Sequence, residues 1–112
     1  MQPVHVTLRE VVRIFCVRIG SEPIKARYKE EQHDHMRHSV VLNAELVYGK
    51  LARDRIKAAM KGLVFRDAQK GTRITPWKEQ IRWTYEGKHI KFQVTCRIYK
   101  DGQHTFSFST LW

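Results

Sequence analysis

Residues 90–99 read Ile-Lys-Phe-Gln-Val-Thr-Cys-Arg-Ile-Tyr, in which apolar and polar side chains alternate. A period of two over ten residues indicates a β-strand with one face on a core and the other in water. Residues 81–85 and 105–109 carry the same alternation on either side of this stretch. The sequence therefore predicts three consecutive antiparallel strands in its C-terminal part.

The turn between the first two of these strands contains Glu86-Gly87, which predicts a two-residue hairpin loop. That loop places Trp83 opposite Ile90 on the apolar face and Arg82 opposite Lys91 on the polar face. Like charges opposite each other destabilise a sheet unless an anion neutralises them. The polar face is therefore a candidate phosphate-binding surface, and the alternative is a face that meets only water.

The second turn contains Asp101-Gly102. A two-residue loop there would place Phe106 opposite Arg97, on the wrong face. A three-residue loop with Gly102 in the left-handed conformation pairs Cys96 with Phe106 instead. Because a slip of one residue moves every side chain to the other face, we expect the three-residue loop.

The N-terminal part of the chain has helical spacing. A helix places five apolar residues on one stripe, although residues 11–17 are also rich in β-branched and aromatic residues, which strands prefer. We favour the helix, with a capping box at Thr7 and Glu10. The stripe consists of Leu8, Val11, Val12, Phe15 and Ile19.

A second helix is predicted from Ser39 or Asn43 to Lys61, closed by Gly62. One broad apolar face would run from Tyr48 to Leu63, with a narrow cationic stripe opposite it. The sequence therefore predicts an α+β fold of one domain over residues 1–112. One or two N-terminal helices would pack on a C-terminal antiparallel sheet of three or more strands.

Positive charge is concentrated between Lys50 and Lys100, where 14 Lys and Arg face only four acids, which accounts for the whole net charge of +10. Clustered cations are the footprint of phosphate binding. We expect a nucleic-acid partner and favour RNA over DNA, although the sequence leaves both open. The hydroxyl and amide side chains that flank the basic residues of the polar face suit a phosphate-backbone or RNA surface. The candidate contacts are Lys50, Arg53, Lys57, Lys61, Lys70, Arg73, Arg82, Lys91 and Arg97.

Cleavage of that RNA is a further hypothesis. Metal-independent cleavage needs a base, an acid and cations around the phosphorane. Helices followed by a basic sheet over about residues 40–112 resemble the small bacterial endoribonuclease toxins of the RelE and colicin type. The resemblance implies RNA cleavage and an acidic protein partner. The candidate catalytic residues are His89, His104, Lys91, Arg97 and Tyr99.

Three other functions fit the same charge pattern. One is a non-enzymatic nucleoprotein associated with a ribosome, a phage or a chromosome. Another is a helix-turn-helix DNA-binding protein that uses residues 43–61 as its second helix and the hairpin 81–99 as a wing. The last is an inhibitor that docks on an acidic protein.

No cofactor is predicted from the sequence. Glu31, His35 and His38 would share a helix face at metal-ligand spacing, but a polar surface cluster is the favoured interpretation and no metal is assigned. No apolar run is long enough to span a bilayer and no signal peptide is evident. We expect no membrane partner, and a cytoplasmic protein in which Cys16 and Cys96 stay reduced.

Overall fold

The computed structural model describes residues 4–20, 22–34, 39–88 and 90–110, with side chains for residues 8–20, 22–29, 43–88 and 90–110. These residues form one antiparallel sheet of six strands in the order β1-β2-β6-β5-β4-β3, together with two helices. The predicted α+β fold is confirmed. The elements are α1 (Val4–Ile19), β1 (Lys25–Asp34), β2 (Ser39–Lys50), α2 (Arg53–Ala59), β3 (Val64–Lys70), β4 (Trp77–Glu86), β5 (Lys91–Tyr99) and β6 (Gln103–Thr110).

The hydrophobic core lies between α1 and one face of the sheet. Phe15 of α1 sits over the centre of that face, with ring centroids 4.8 Å from Phe106 and 5.0 Å from Phe108. We call this face the helix side and the opposite face the open side. Buried side chains of the helix side are Ala44, Leu46, Tyr48, Phe92, Val94, Cys96, Ile98, Phe106 and Phe108.

Helix α1 confirms the N-terminal prediction. Leu8, Val12, Phe15 and Ile19 are all buried, as the 3.6-residue period requires. The helix begins at Val4, so the capping box predicted at Thr7 is wrong. Among the described residues, no helix is long and apolar enough to cross a membrane.

The predicted second helix is wrong over most of its length, because residues 39–50 form strand β2. Ala44, Leu46 and Tyr48 are buried and alternate with less buried neighbours, which is a period of two. Only Arg53–Ala59 is helical, and Gly62 at φ 89° follows it. The helix over residues 43–61 that the helix-turn-helix alternative required is therefore absent from the described residues.

Two polar segments are the edge strands of the sheet. Residues 24–38, which had no predicted element, contain β1, and the predicted loop from Asp67 overlaps β3, which runs to Lys70. Each of these strands has one neighbour in the sheet. An edge strand needs no continuous apolar face, so its sequence carries a weak strand signal.

The register of the first hairpin differs from the prediction. Trp83 lies opposite Val94 rather than Ile90, and the last pair is Glu86 with Lys91, so the connection spans residues 87–90. Arg82 therefore lies opposite Thr95, and the predicted Arg82–Lys91 opposition does not exist.

The register of the second hairpin is confirmed. Cys96 pairs with Phe106 and Val94 with Phe108 across a three-residue loop. Gly102 adopts φ 91° there, in the region that favours glycine.

Candidate nucleic-acid interface

Arg82 on the open side binds a carboxylate of the neighbouring edge strand. A bulge between Phe65 and Asp67 in β3 places Asp67 opposite Arg82. The guanidinium donates two hydrogen bonds to that carboxylate, one of them from Nε to Oδ1 at 2.9 Å. The bonds lower the pKa of Asp67 below its ordinary value. An acid of this protein therefore occupies the position where the sequence suggested a phosphate.

Two further arginines on this half of the open side also have partners on adjacent strands. Arg66 donates from Nε to the hydroxyl of Thr84 at 2.8 Å and from Nη2 to Glu86 at 2.9 Å. Arg97 donates from Nε to the side-chain oxygen of Gln80 at 2.8 Å. Cross-strand pairs of this kind stabilise a sheet. The open side therefore uses much of its hydrogen-bonding capacity internally.

The candidate catalytic residues are divided between the two faces. His104 is 5% exposed on the helix side, and its Nδ1 accepts a hydrogen bond from the Leu51 amide at 3.4 Å. Burial lowers the pKa of His104 below its ordinary value. Lys91, Arg97 and Tyr99 alternate onto the open side of β5.

Lys91 is distant from Arg97 and Tyr99, which are neighbours on the open side of β5. Lys91 and Tyr99 lie at opposite ends of β5, about 26 Å apart at roughly 3.3 Å per residue. His89 lies outside the described residues. Among the described candidates, Lys91 is therefore too far from Tyr99 to act on the same phosphate.

The described residues contain no site suited to cysteine or metal chemistry. Burial raises the pKa of the Cys96 thiol to about 12, so the thiolate is not accessible at neutral pH. Cys16 is free and accepts a hydrogen bond from the Tyr48 hydroxyl at 3.3 Å. Glu31 lies in β1 rather than on a helix, and His35 and His38 are outside the described residues. No group of three metal-ligating side chains occurs among the residues described.

The predicted cationic stripe is split into three parts. Lys50 ends β2, and its side chain lies beside Gly102 of the β5–β6 turn. Arg53 and Lys57 are one turn apart in α2 and share a face of it. Lys61 follows the helix, and its carbonyl accepts a hydrogen bond from Arg18 at 3.3 Å.

The shared face of Arg53 and Lys57 opens on a groove between α2 and the helix side of β4, which we call the α2 groove. Its volume is about 510 Å³, and Trp83 forms part of its wall. No described carboxylate pairs with Lys57, whereas Arg53 pairs with Glu79 at 2.9 Å. The lining residues are Arg53, Asp54, Ile56, Lys57, Met60, Ile81, Trp83 and Ile98.

A second aromatic residue extends this groove toward the edge of the sheet. Phe65 of β3 lies opposite Trp83 and is 58% exposed. Strand alternation also places Lys70 of β3 on the helix side. Sequence reasoning treated Trp83 as core and gave Phe65 no role. The available signal was the direct adjacency of aromatic and basic residues in Phe65-Arg66 and Arg82-Trp83.

The basic loop between β3 and β4 lies at one end of the sheet. Lys100 donates from Nζ to the carbonyls of Thr72 and Arg73, both at 3.2 Å. These bonds fasten the loop to the β5–β6 turn. The side chain of Arg73 is exposed there, away from the α2 groove.

Neither a protein-family model nor a curated protein nor a solved structure matches this chain.

Proposed function

We propose that this protein binds single-stranded RNA in the α2 groove and does not cleave it. One observation carries the proposal: Trp83 and Lys57 line the same groove, with exposed Phe65 on the adjacent strand. A strand of RNA needs both components, because its bases stack on aromatic rings while its phosphates pair with cations.

The contacts suggest how a strand would lie. Bases would stack on Phe65 and Trp83, which are neighbours across β3 and β4. A phosphate would pair with Lys57 on the wall of the groove formed by α2, because Arg53 beside it already bonds Glu79. Paired bases cannot present their faces to a ring, so this arrangement selects unpaired nucleotides over a duplex.

The positions of the described acid–base candidates support binding without cleavage. His104 is buried beneath the backbone amide of Leu51, and a buried neutral imidazole has no access to a ribose hydroxyl. Lys91 and Arg97 face the opposite side of the sheet from the α2 groove. The bound strand is therefore expected to remain intact.

Fluorescence anisotropy with a labelled 12-nucleotide oligouridine tests the proposal. The variant Trp83→Leu keeps an apolar side chain but removes the stacking surface, and we expect an affinity loss of about fivefold to a hundredfold. Trp77→Leu is the matched control, because Trp77 belongs to the same strand but does not line the groove. Equal losses in both variants would contradict the proposal.

Competition binding, a cleavage assay and protein capture distinguish single-stranded RNA binding from the other candidate functions. Unlabelled single-stranded DNA should displace the RNA less well than the same RNA sequence, and duplex RNA should displace it least. A denaturing gel of the incubated RNA should show a single uncut band. Capture of an acidic protein from lysate that survives nuclease treatment, without RNA binding, would favour the inhibitor hypothesis instead.

A further inference from the structure

A cavity distinct from the α2 groove lies between α1 and the ends of β4 and β5. Its volume is about 280 Å³. Phe15, Val94 and Phe108 form its buried floor, and Ile90 and Phe92 form one wall. An apolar cavity of this size, near the lower limit of ligand pockets, suits a small apolar molecule.

The mouth of the cavity carries positive charge. Arg18 of α1 and Lys61 after α2 both line it, and no carboxylate is among its lining residues. Arg18 reaches across to the carbonyl of Lys61 at 3.3 Å, which holds the guanidinium at the entrance. A guanidinium in this position has further N–H donors for an anion, and a carboxylate can accept two of them.

Two partly exposed apolar side chains lie around the mouth, as expected for a site that takes a ligand with an apolar body. Ile14 is 40% exposed and Tyr85 is 38% exposed, and both line the cavity. The Tyr85 ring stacks on Phe92 with centroids 5.1 Å apart. It also lies beside Gly87, where a Cβ atom would come within 2.4 Å of it. The missing side chain at position 87 therefore leaves the room in which this ring forms the edge of the cavity.

We propose that this cavity binds a small hydrophobic carboxylate, with its apolar body on Phe15, Phe92 and Phe108 and its carboxylate on Arg18. A cavity of about 280 Å³ holds a ligand of about ten non-hydrogen atoms, given about 30 Å³ for each water-sized group. Medium-chain fatty acids and arylalkanoic acids share this chemistry. The site is separate from the α2 groove and does not depend on RNA binding.

Isothermal titration calorimetry and amide NMR shifts on the full chain test the proposal with three probes. Octanoate represents the aliphatic acids, 3-phenylpropionate the aromatic acids, and 1-octanol is the neutral control. We expect saturable binding of at least one acid with one site per chain, and affinity for 1-octanol at least tenfold weaker than for octanoate. The largest shifts should fall at Gly62, Leu63 and Ile90. Absence of shifts at these residues would overturn the proposal, as would equal affinities for octanoate and 1-octanol.

Two variants locate the site. Arg18→Gln should weaken octanoate binding about tenfold and leave 1-octanol unchanged, whereas Arg13→Gln should change neither. Arg13 is the matched control because it lies on the same helix, pairs with Glu10 and does not line the cavity. Ile14→Trp should block all three probes by filling the mouth. Equal losses in the Arg13 and Arg18 variants would show that only general charge attraction is involved and would overturn the site.

The two proposals fail independently. Trp83→Leu should leave octanoate binding unchanged, and Arg18→Gln should leave RNA binding within about twofold. Loss of octanoate binding in the Trp83 variant would contradict two separate sites.

Discussion

The two sides of the sheet carry similar kinds of charged residue and differ in what those residues touch. On the open side, Arg66, Arg82 and Arg97 each donate to a side chain of an adjacent strand. On the helix side, Lys57 has no described carboxylate partner and lies in a groove with Trp83. The helix-side arrangement therefore places a cation without a described carboxylate partner in a groove beside an aromatic ring.

A count of charges therefore does not locate a binding surface. The strand register decides which acid lies opposite which base, and a guanidinium bonded to its own carboxylate has fewer donors left for a phosphate. Exposed ion pairs of this type add little stability, with typical values of about 0–1 kcal/mol. Their main effect here is on the availability of the cations.

The largest effect should be on the free energy of unfolding, and it distinguishes a core residue of β6 from a surface residue of the same strand. Phe108 is 1% exposed on the helix side, whereas the adjacent Ser107 faces the open side. Phe108→Ala should lower the free energy of unfolding by about 3–5 kcal/mol, because it leaves a cavity beneath Phe15. Ser107→Ala should change it by less than about 0.5 kcal/mol. Urea unfolding measures both, and similar losses would mean that the two sides are not distinct.

The next largest effect should be on RNA affinity, when the charge of one cation on each side is reversed. Lys57→Glu should weaken binding of single-stranded RNA about tenfold at ~0.1 M salt, and Lys91→Glu less than about threefold. The same charge reversal is made in each, so only location differs. Because each phosphate contact contributes about −0.7 to the logarithmic salt slope, the Lys57 variant should lose about that much. A larger loss for Lys91→Glu would assign the interface to the open side.

Much of the fold could be predicted from local sequence patterns. In β5 the alternation of residues 90–99 matches the burial of Phe92, Val94, Cys96 and Ile98. The second hairpin is determined as well, since only one loop length keeps Phe106 on the apolar face. In α1 the helical stripe was strong enough to outweigh the β-branched residues around it.

The errors occur where long-range pairing decides the structure. β2 contains an alternating segment, but Gly49 to Met60 adds helical spacing, and the two patterns run together without a break. In the first hairpin the partner of Trp83 is four residues later than Glu86-Gly87 suggests, with no change of face, so alternation could not reveal the shift. The candidate site was misplaced for the same reason. Asp67 and Arg82 meet only because of the bulge in β3.

A smaller effect concerns His104, buried on the helix side. Its pKa in the folded chain is lowered below the ordinary value of 6.5, chiefly by burial. As pH falls through about 6.5, the unfolded chain takes up this proton before the folded one does, so stability present above that pH is lost. His104→Gln should show a shallower loss of unfolding free energy between pH 7.5 and 5.5. The difference in slope cannot exceed about 1.4 kcal/mol per pH unit for one group.

The parent chain and the His104→Gln variant share every other histidine, so the difference between their pH slopes reports the titration of His104. Urea unfolding at the two pH values gives the slopes. Parallel slopes would mean that the imidazole titrates alike in the folded and unfolded chains, contrary to its burial. Burial would then no longer explain why His104 is unsuited to act as a catalytic acid or base.

The smallest effect tests whether ion pairing limits RNA binding on the open side. The double variant Asp67→Asn and Glu86→Gln removes the carboxylate partners of Arg82 and Arg66 while it keeps side chains of similar shape. If pairing limits these arginines, the affinity for single-stranded RNA should rise about twofold to threefold. Glu10→Gln with Glu22→Gln is the control, because it makes the same change in net charge away from the sheet face.

A gain in both double variants would reflect net charge alone, and a gain in neither would mean that released arginines do not suffice. The second outcome would be informative about the helix side, where a cation accompanies Trp83 and Phe65. Stacking, rather than the number of free cations, would then be the property that separates the two sides. Adding an aromatic residue to the open side by Thr95→Trp in the double variant should in that case produce the gain, because Thr95 lies opposite Arg82 on the open side.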